Sequence, residues 1–282
     1  MPAPKNYVTA YKTLTVTVPG EICGEEIDID VGPINVIRYS NTGTSGTPKQ
    51  KVAGLDDGSK DMVLRFLSAY KREKDTKPFP DSKLPANFSN DSINNVYSGK
   101  GSPQDIRATL LLYACYEEKI KGVQTRRKWQ SPSALESALN SHCVDRIGLD
   151  CLGFVVNFVN DDRSKHLSSD LIGLLDMEYF TGYVKGAKKL RDSLANLTEK
   201  DVIVYLHKGD LGQQARHIAV VDTVFSKSPE KAQVIIAESY GGVGPQVATI
   251  ALENFNGGDG NYGTAFILNR SGMESKVYLV PA

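Results

Sequence analysis

The sequence is poor in the residues that build disulfide frameworks and metal centres. Only four of its 282 residues are cysteine, and only four are histidine. The cysteines are too sparse for a disulfide scaffold and show no paired CxxC spacing, so we expect reduced thiols. Cysteine and histidine together show no ligand spacing of a closed zinc site, and we expect no bound metal. The four cysteines are Cys23, Cys115, Cys143 and Cys151.

The sequence also lacks long apolar runs and an excess of charge of either sign. Lys plus Arg and Asp plus Glu both number 33, which gives no field that would favour nucleic acid or an anionic membrane surface. The longest apolar stretches, such as Ile203–Leu206, are far shorter than the roughly 18 residues of a membrane-spanning helix. Met1–Tyr11 shows no secretory signal, so we expect synthesis in the cytoplasm. We expect no nucleic-acid partner and no membrane insertion.

No glycine-rich loop in the sequence has the setting of a phosphate-binding motif. Gly257–Gly260 does not follow a strand pattern or precede a helix pattern, as a nucleotide-binding loop would. We therefore expect no nucleotide and no other cofactor.

The first hundred residues are rich in strand patterns. Tyr7–Tyr39 alternates apolar and polar residues in short runs, which predicts three or four strands. Apolar residues at helical spacing predict a helix over Asp61–Arg72. The following run, Glu73–Lys100, is rich in Pro, Asn, Ser and Asp and has no period. It predicts a linker, which divides the chain into a β-rich N-terminal region of unknown role, 1–100, and a second domain, 101–282.

The second domain begins with helices and ends with strands. Ser102 followed by Pro103 predicts the start of a helix that has Cys115 on its buried face. Two further helices are predicted over Ser131–Ser141 and Leu149–Asn160. Helices followed by strands indicate an α+β arrangement. The predicted strands are Val202–Leu206, His217–Val224, Gln233–Glu238, Thr264–Leu268 and Lys276–Val280.

Cys151 lies where the sequence predicts the first turn of a helix, directly after Asp150. Unpaired backbone N–H groups and the positive end of the helix dipole favour the thiolate there, which is the nucleophilic form. Gly153, also in this first turn, costs a helix about 1 kcal/mol relative to Ala. Its presence predicts that a backbone or a substrate approaches closely at that point. Cys151 is therefore the candidate nucleophile.

A thiolate that hydrolyses amides needs a base to take and return a proton. Among the four histidines, only His217 begins a clean strand, which would hold its ring on a rigid element. The following strand contains a carboxylate near its end, Glu238, which is the candidate for the third group that orients the imidazole. The other histidines are His142, His166 and His207.

Other residues compete for these roles. Ser239 and Asp222 are alternatives to Glu238 as the orienting group. Cys143 beside His142 is an alternative nucleophile and base, but adjacent residues of a chain usually point apart. For any lone cysteine, burial as a small apolar residue is the alternative to catalysis.

Asp150–Val155 and the strands after it resemble a known family. The run Asp-Cys-Leu-Gly-Phe-Val is similar to the Asp-Cys-Ser-Gly-Phe-Val signature of NlpC-type cell-wall cysteine peptidases, with leucine in place of serine. Leu197–Tyr205 resembles the segment that leads to the family's histidine strand, which here begins at His217. Glu238 stands by position where the family has a further histidine. The resemblance covers roughly Ser102–Ala282.

The resemblance implies a papain-like fold, in which the helix that bears the cysteine packs on an antiparallel sheet. It implies a cysteine amidase or endopeptidase that cleaves amide bonds of bacterial peptidoglycan stem peptides through a thioester. Asp162–Lys200 is long for a minimal member and could form a lid or a specificity wall. Two alternatives stay open: an acyltransferase or protein deamidase on the same fold, and a binding module that has lost the chemistry.

A wall substrate and synthesis in the cytoplasm together require a route across the membrane. The family includes secreted or injected wall-degrading amidases. A signal-independent route to the periplasm or to a target cell, as for an antibacterial effector, would meet this requirement, and so would release by lysis, as for a lysin. An effector of this kind implies a cognate immunity or inhibitor protein as a partner.

Overall fold

The computed structural model describes residues 3–22, 25–36, 58–72, 79–115, 131–163, 190–206, 217–240, 243–255, 263–270 and 273–281. Within these residues the chain forms six α-helices and eight β-strands. The helices are α1 (Pro4–Lys12), α2 (Ser59–Arg72), α3 (Asn90–Tyr97), α4 (Pro103–Cys115), α5 (Pro132–Arg146) and α6 (Cys151–Arg163). The strands are β1 (Val16–Ile22), β2 (Glu25–Val31), β3 (Val202–Leu206), β4 (His217–Lys227), β5 (Lys231–Tyr240), β6 (Gly244–Asn254), β7 (Phe266–Arg270) and β8 (Met273–Val280). No helix in the described ranges is long and apolar enough to cross a membrane.

The chain divides into two compact units. The barrel unit consists of Met1–Thr9, Phe154–Tyr240 and Pro245–Ala282, and the helical unit consists of Ala10–Gly153 and Gly241–Gly244. The division falls inside two helices: inside α1, between Thr9 and Ala10, and inside α6, between Gly153 and Phe154.

The barrel unit is built around a closed sheet of six strands in the order β3, β4, β5, β6, β7, β8. Strands that follow one another in the chain are neighbours in the sheet. The ring is closed by antiparallel pairing of β3 with β8, in which Val202 lies opposite Val280. Because side chains of a strand alternate between its two faces, one residue in two faces the barrel interior.

Apolar side chains fill this interior. The strand residues of the buried cluster are Ile203, Tyr205, Ala219, Val221, Ala232, Val234, Ile236, Ile250, Leu252, Phe266, Leu268, Val277 and Leu279. They follow the alternation of each strand, so the core of this unit is enclosed by the sheet itself.

The closed barrel contradicts the predicted papain-like core, in which a helix that bears the cysteine packs on an antiparallel sheet. An open sheet must bury its apolar face against another layer, whereas a closed sheet buries that face inside its own ring. The α+β papain-like assignment was therefore wrong for this chain.

The strands themselves were predicted more accurately than their arrangement. β3, β4, β5, β7 and β8 overlap the five predicted strands, and β3 has the predicted bounds. β6 was not predicted, because it begins with Gly244 and Pro245, which are signals of a turn.

The helical unit contains the hairpin of β1 and β2 and the helices α2 to α5. Two of the helices, α4 and α5, are capped at their N-termini by the predicted serine side chains. The Ser102 hydroxyl accepts a hydrogen bond from the Asp105 N–H at 3.1 Å, and the Ser131 hydroxyl accepts one from the Ala134 N–H at 3.1 Å. The predicted helix over Asp61–Arg72 is confirmed as α2.

The beginning of the chain contains less strand than predicted. Within the described part of Tyr7–Tyr39, residues 7–12 belong to α1, and β1 and β2 are the strands that the structure describes there. The prediction of strand at the start of this segment was wrong. α1 is supported at its N-terminus by Asp222 of β4, whose Oδ1 accepts a hydrogen bond from the Lys5 N–H at 2.7 Å.

The run Glu73–Lys100, predicted as an irregular linker, contains α3 among its described residues. Ser89 caps this helix: its hydroxyl accepts from the Asp91 N–H at 3.2 Å, and its own N–H donates to the Ser92 hydroxyl at 3.4 Å. Residue 100 lies within the helical unit. The division into domains 1–100 and 101–282 stays a prediction.

Candidate functional site

His217 and Glu238 come from neighbouring strands of the barrel. His217 is the first residue of β4, and Glu238 lies two residues after Ile236 in β5. Strand alternation places both on the interior face, with core residues such as Ala219 and Ile236. His217 Nε2 and Glu238 Oε2 are 2.7 Å apart, and the two side chains are 6% and 0% exposed. The structure therefore brings the predicted base and the predicted orienting group together, and their catalytic roles stay predictions.

The second oxygen of Glu238 is bound by two further side chains. Arg270 Nη2, at the end of β7, lies 2.6 Å from Glu238 Oε1. Gln246 of β6 donates from Nε2 to the same oxygen at 3.2 Å. Neither residue was predicted from the sequence. The signal for Arg270 was a charge in register with Phe266 and Leu268, in an otherwise apolar row of alternate residues.

Two tyrosines lie against the imidazole of His217. The rings of Tyr205 in β3 and Tyr240 in β5 each meet it in a T-shaped arrangement, with centroids 4.9 Å away. The guanidinium carbon of Arg270 lies 4.0 Å from the centroid of Tyr240, a cation–π contact. The Tyr240 ring therefore contacts both the guanidinium of Arg270 and the imidazole of His217. We call this set of side chains the polar layer: Tyr205, His217, Glu238, Tyr240, Gln246 and Arg270.

The charges in the polar layer support one another. Burial alone would raise the pKa of Glu238, but the hydrogen bonds and charges of His217 and Arg270 lower it more, and the pKa lies below its ordinary value. Burial would lower the pKa of Arg270, but Glu238 raises it more. Burial, aided by the charge of Glu238, raises the pKa of Tyr205 strongly. At neutral pH the layer thus holds an ionised Glu238, a charged Arg270 and a neutral Tyr205.

Cys151 is the first residue of α6, which confirms its predicted position at the helix N-terminus, and it is half-buried. The Asp150 carboxylate accepts a hydrogen bond from the Gly153 N–H, and the Asp150 N–H donates to the Gly99 carbonyl at 2.8 Å. A Cβ at Gly153 would lie 2.5 Å from the Gly99 oxygen and 2.7 Å from the Lys100 Cα. The close approach of a backbone, one of the two predicted reasons for Gly153, is confirmed.

The predicted site residues are divided between the two units. Cys151 belongs to the helical unit, whereas His217 and Glu238 belong to the barrel unit. The pairing of Cys151 with His217 stays a prediction.

The alternatives to Glu238 are placed differently. Asp222 is occupied elsewhere, because Oδ1 accepts from the Lys5 N–H and Oδ2 accepts from the Thr223 hydroxyl at 2.9 Å. Ser239 directly follows Glu238 in β5, so its side chain points to the opposite face of the strand. Neither arrangement matches the contact that Glu238 makes with His217.

The alternative pair of Cys143 and His142 has an unreactive thiol. Cys143 is buried, and burial raises the pKa of its thiol to about 12, which keeps it protonated at neutral pH. The His142 ring stacks on the Tyr113 ring, with 3.7 Å between the ring centroids, and His142 Nε2 lies 2.8 Å from the Tyr97 hydroxyl. Cys115, which was predicted to be buried, is half-buried.

Several features singled out in the sequence lie outside the described residues. They are Cys23, His166, His207, Gly257–Gly260 and, within the Asp162–Lys200 insertion, residues 164–189. Among the residues that are described, no group of three or more His, Cys, Asp and Glu side chains could hold a metal ion.

Comparisons of the chain with protein-family models, with curated proteins and with solved structures each found no match.

Proposed function

We propose that the protein is a cysteine hydrolase of amide bonds, with Cys151 as nucleophile, His217 as general base and Glu238 as the residue that orients the base. The observation that carries the proposal is the buried contact of 2.7 Å between His217 Nε2 and Glu238 Oε2. A carboxylate on one ring nitrogen fixes the tautomer and orientation of an imidazole, and it stabilises the imidazolium that forms during turnover. This is the arrangement that a general base requires.

The reaction follows from these roles. Since Glu238 binds Nε2, proton transfer runs through Nδ1 of His217. The Cys151 thiolate forms a bond to the carbonyl carbon of the amide, the C–N bond breaks, and the amine leaves with a proton from His217. A water molecule then attacks the thioester while His217 takes a proton from it. The C–S bond then breaks. This step releases the carboxylic acid product and regenerates the Cys151 thiolate.

The surroundings of Cys151 support its role as the nucleophile. It begins a helix of 13 residues, and it is partly exposed. Both conditions favour a reactive thiolate, since the helix N-terminus stabilises the negative charge and exposure admits a substrate. Cys143, in contrast, is buried and has a raised pKa.

We further propose bacterial peptidoglycan stem peptides as the substrate. Support comes from the similarity of Asp150–Val155 and of the strand that begins at His217 to the NlpC-type peptidases. It does not come from the fold, because the closed barrel differs from the core that the resemblance implied. Delivery by a signal-independent route and a cognate immunity protein belong to the same proposal.

Purified peptidoglycan is the substrate of the first test. We expect wild-type protein to release fragments whose masses show one added water for each cleaved amide bond. Cys151→Ala should release none, because the nucleophile is gone. Cys115→Ala is the matched control, since Cys115 is also half-buried and lies at the end of a helix rather than at its start. It should cleave like wild type.

Each result decides one part of the proposal. Cleavage that persists in Cys151→Ala would show that Cys151 is not the nucleophile. Fragments joined to an added amine instead of water would indicate acyl transfer, and binding of peptidoglycan without cleavage would indicate a binding module. Both of these outcomes would overturn hydrolysis.

A further variant, His217→Ala, tests whether His217 acts on Cys151. Iodoacetamide should label Cys151 in wild type at neutral pH, because the imidazolium stabilises the thiolate. In His217→Ala the labelling rate should rise only near the ordinary thiol pKa of about 8.5. Identical profiles of rate against pH in the two proteins would separate Cys151 from His217 and overturn the catalytic pair.

A further inference from the structure

Glu238 contacts two basic side chains, His217 and Arg270, through its two oxygens. Oε2 lies 2.7 Å from His217 Nε2, and Oε1 lies 2.6 Å from Arg270 Nη2. Gln246 Nε2 adds a third donor at 3.2 Å from Oε1. A carboxylate held at both oxygens has one orientation, so the oxygen that faces His217 cannot rotate away without breaking the bond to Arg270. The contacts of Arg270 and Gln246 with Oε1 therefore also fix the position of Oε2 relative to the imidazole of His217.

Because Glu238 is buried, its ionised form needs a neighbouring cation, which is Arg270. Glu238 is 0% exposed and the Arg270 side chain is 17% exposed, so water does little to stabilise the carboxylate. An isolated buried carboxylate takes up a proton instead of remaining charged. A protonated Glu238 would carry no charge to stabilise an imidazolium, and the ring would lose the partner that selects its tautomer.

Arg270 is itself fixed in position. Its guanidinium packs on the face of Tyr240 at 4.0 Å from the centroid, and the same tyrosine meets the His217 ring at 4.9 Å. Arginine suits such a site because it stays charged and its planar group can stack and donate at the same time.

We infer that Arg270 is a positioning residue for the base: it keeps Glu238 ionised and aimed at His217 Nε2, and it acts through Glu238 without touching the substrate. The catalytic role of Arg270 rests on the proposed function. The effect of Arg270 on the ionisation of Glu238 is independent of that function. Among the described residues, the titratable or charged side chains around Glu238 are His217 from β4 and Arg270 from β7, with Tyr205 from β3 and Tyr240 from β5 beside them. β6 contributes the neutral Gln246.

The test follows the ionisation of Glu238 directly, by the ¹³C resonance of its carboxyl carbon as the pH is lowered. Loss of this resonance in Glu238→Gln assigns it. In Arg270→Met the midpoint should move upward by about 1–3 pH units, because a neighbouring cation lowers a carboxylate pKa by about that amount. Arg270→Lys keeps the charge but not the stacked, planar donor, so its midpoint should lie between those of wild type and Arg270→Met.

Arg191→Met is the matched control. Arg191 also forms an ion pair with a fully buried carboxylate, Asp201, in the same unit, at 2.9 Å and with a side chain that is 25% exposed. It is not a partner of Glu238, so its loss should destabilise the barrel unit without moving the Glu238 midpoint. An unchanged midpoint in Arg270→Met, or an equal shift in Arg191→Met, would overturn the inference.

A second readout links the inference to activity. The acidic limb of hydrolysis against pH should move upward in Arg270→Met and recover partly in Arg270→Lys. If Arg270→Met does not fold, the comparison of Arg270→Lys with wild type decides, and an unshifted midpoint there counts against Arg270. If wild type hydrolyses nothing, the proposed function fails, while the resonance of Glu238 still reports whether Arg270 holds it ionised.

Discussion

Single residues show how one strand of the barrel contributes to both the core and the candidate site. In β5, Val234 and Ile236 fill the interior, and the next residue on that face, Glu238, is charged. A buried ion loses several kcal/mol of hydration, which only well-placed partners offset. His217 and Arg270 are those partners. The sequence signal of such a site is therefore a charge at a position where strand alternation requires an apolar residue.

Gly153 is a residue whose effect on stability should contradict its helix propensity. Propensity alone predicts that Gly153→Ala raises the free energy of unfolding by about 1 kcal/mol. The added Cβ would meet the Gly99 oxygen at 2.5 Å and the Lys100 Cα at 2.7 Å, and relief of such an overlap costs about 1–3 kcal/mol. We expect a net loss of stability, measured by urea unfolding.

Ser137→Ala provides the reference for this measurement. Ser137 is exposed on α5 in the same unit, so its replacement should change the free energy of unfolding by less than about 0.5 kcal/mol. A Gly153→Ala protein that is more stable than wild type would show that the backbone at Gly99 moves aside easily.

Among the elements, α1 depends on a cap that comes from a distant strand. Asp222 of β4 accepts a hydrogen bond from the Lys5 N–H at 2.7 Å, and its charge lies at the positive end of the helix dipole. Asp222→Ala should therefore lower the free energy of unfolding of the barrel unit by about 1–2 kcal/mol. Amide hydrogen exchange of Lys5 should become faster in this variant.

Asp222→Asn separates the two contributions, since it keeps an acceptor oxygen and removes the charge. Its stability should lie between those of wild type and Asp222→Ala. Unchanged protection of the Lys5 amide in Asp222→Ala would mean that the cap does not hold α1.

Elements with a clear local pattern were predictable, and elements held by distant contacts were not. α2 and α4 have apolar residues at helical spacing, and α4 also has a serine cap, so the sequence alone identifies them. α1 is rich in residues that favour strands, such as Tyr7 and Val8. It is a helix in the structure, where Asp222 caps it and Tyr7 packs on Phe154 and Phe158 at centroid distances of 5.7 and 5.9 Å.

At the scale of the barrel, the same distinction explains why part of the site was predicted. His217 and Glu238 lie on β4 and β5, which are consecutive and paired, so their contact follows from local sequence. Arg270 reaches Glu238 from β7, which is not a neighbour of β5 in the sheet, so this contact depends on the closure of the ring. Gln246 lies on β6, the next strand after β5, and was missed because β6 was not predicted. No local pattern specifies that β3 pairs with β8. The predicted core, a helix packed on an antiparallel sheet, came from the resemblance to NlpC-type peptidases.

The stability of the barrel unit should depend on acid through Glu238. Its pKa is lowered in the folded state from an ordinary value of 4.5. A group with a lowered pKa contributes stability above its unfolded pKa, and this contribution is lost as the pH falls through the folded pKa. We expect wild type to lose stability below about pH 4.5, as followed by near-ultraviolet circular dichroism.

Glu238→Gln should be less stable than wild type at neutral pH, but its stability should fall less on acidification. Glu253→Gln is the control, because Glu253 is exposed on β6 and pairs with an exposed Lys231. Its acid transition should overlay that of wild type. If the acid transition of Glu238→Gln also overlays that of wild type, Glu238 is not the origin of the loss of stability in acid.

The closed ring also restricts how a peptide substrate can be held. Many proteins bind an extended peptide by adding it as a further strand to the free edge of a sheet, where unpaired backbone groups are available. Each of the six barrel strands has a neighbour on both sides, so where the described residues are paired with both neighbours no such edge is free. Along these paired stretches a stem peptide, the proposed substrate, would have to be recognised through side chains and not through backbone pairing. Selectivity in that case depends on the chemical groups of the peptide more than on its extended conformation.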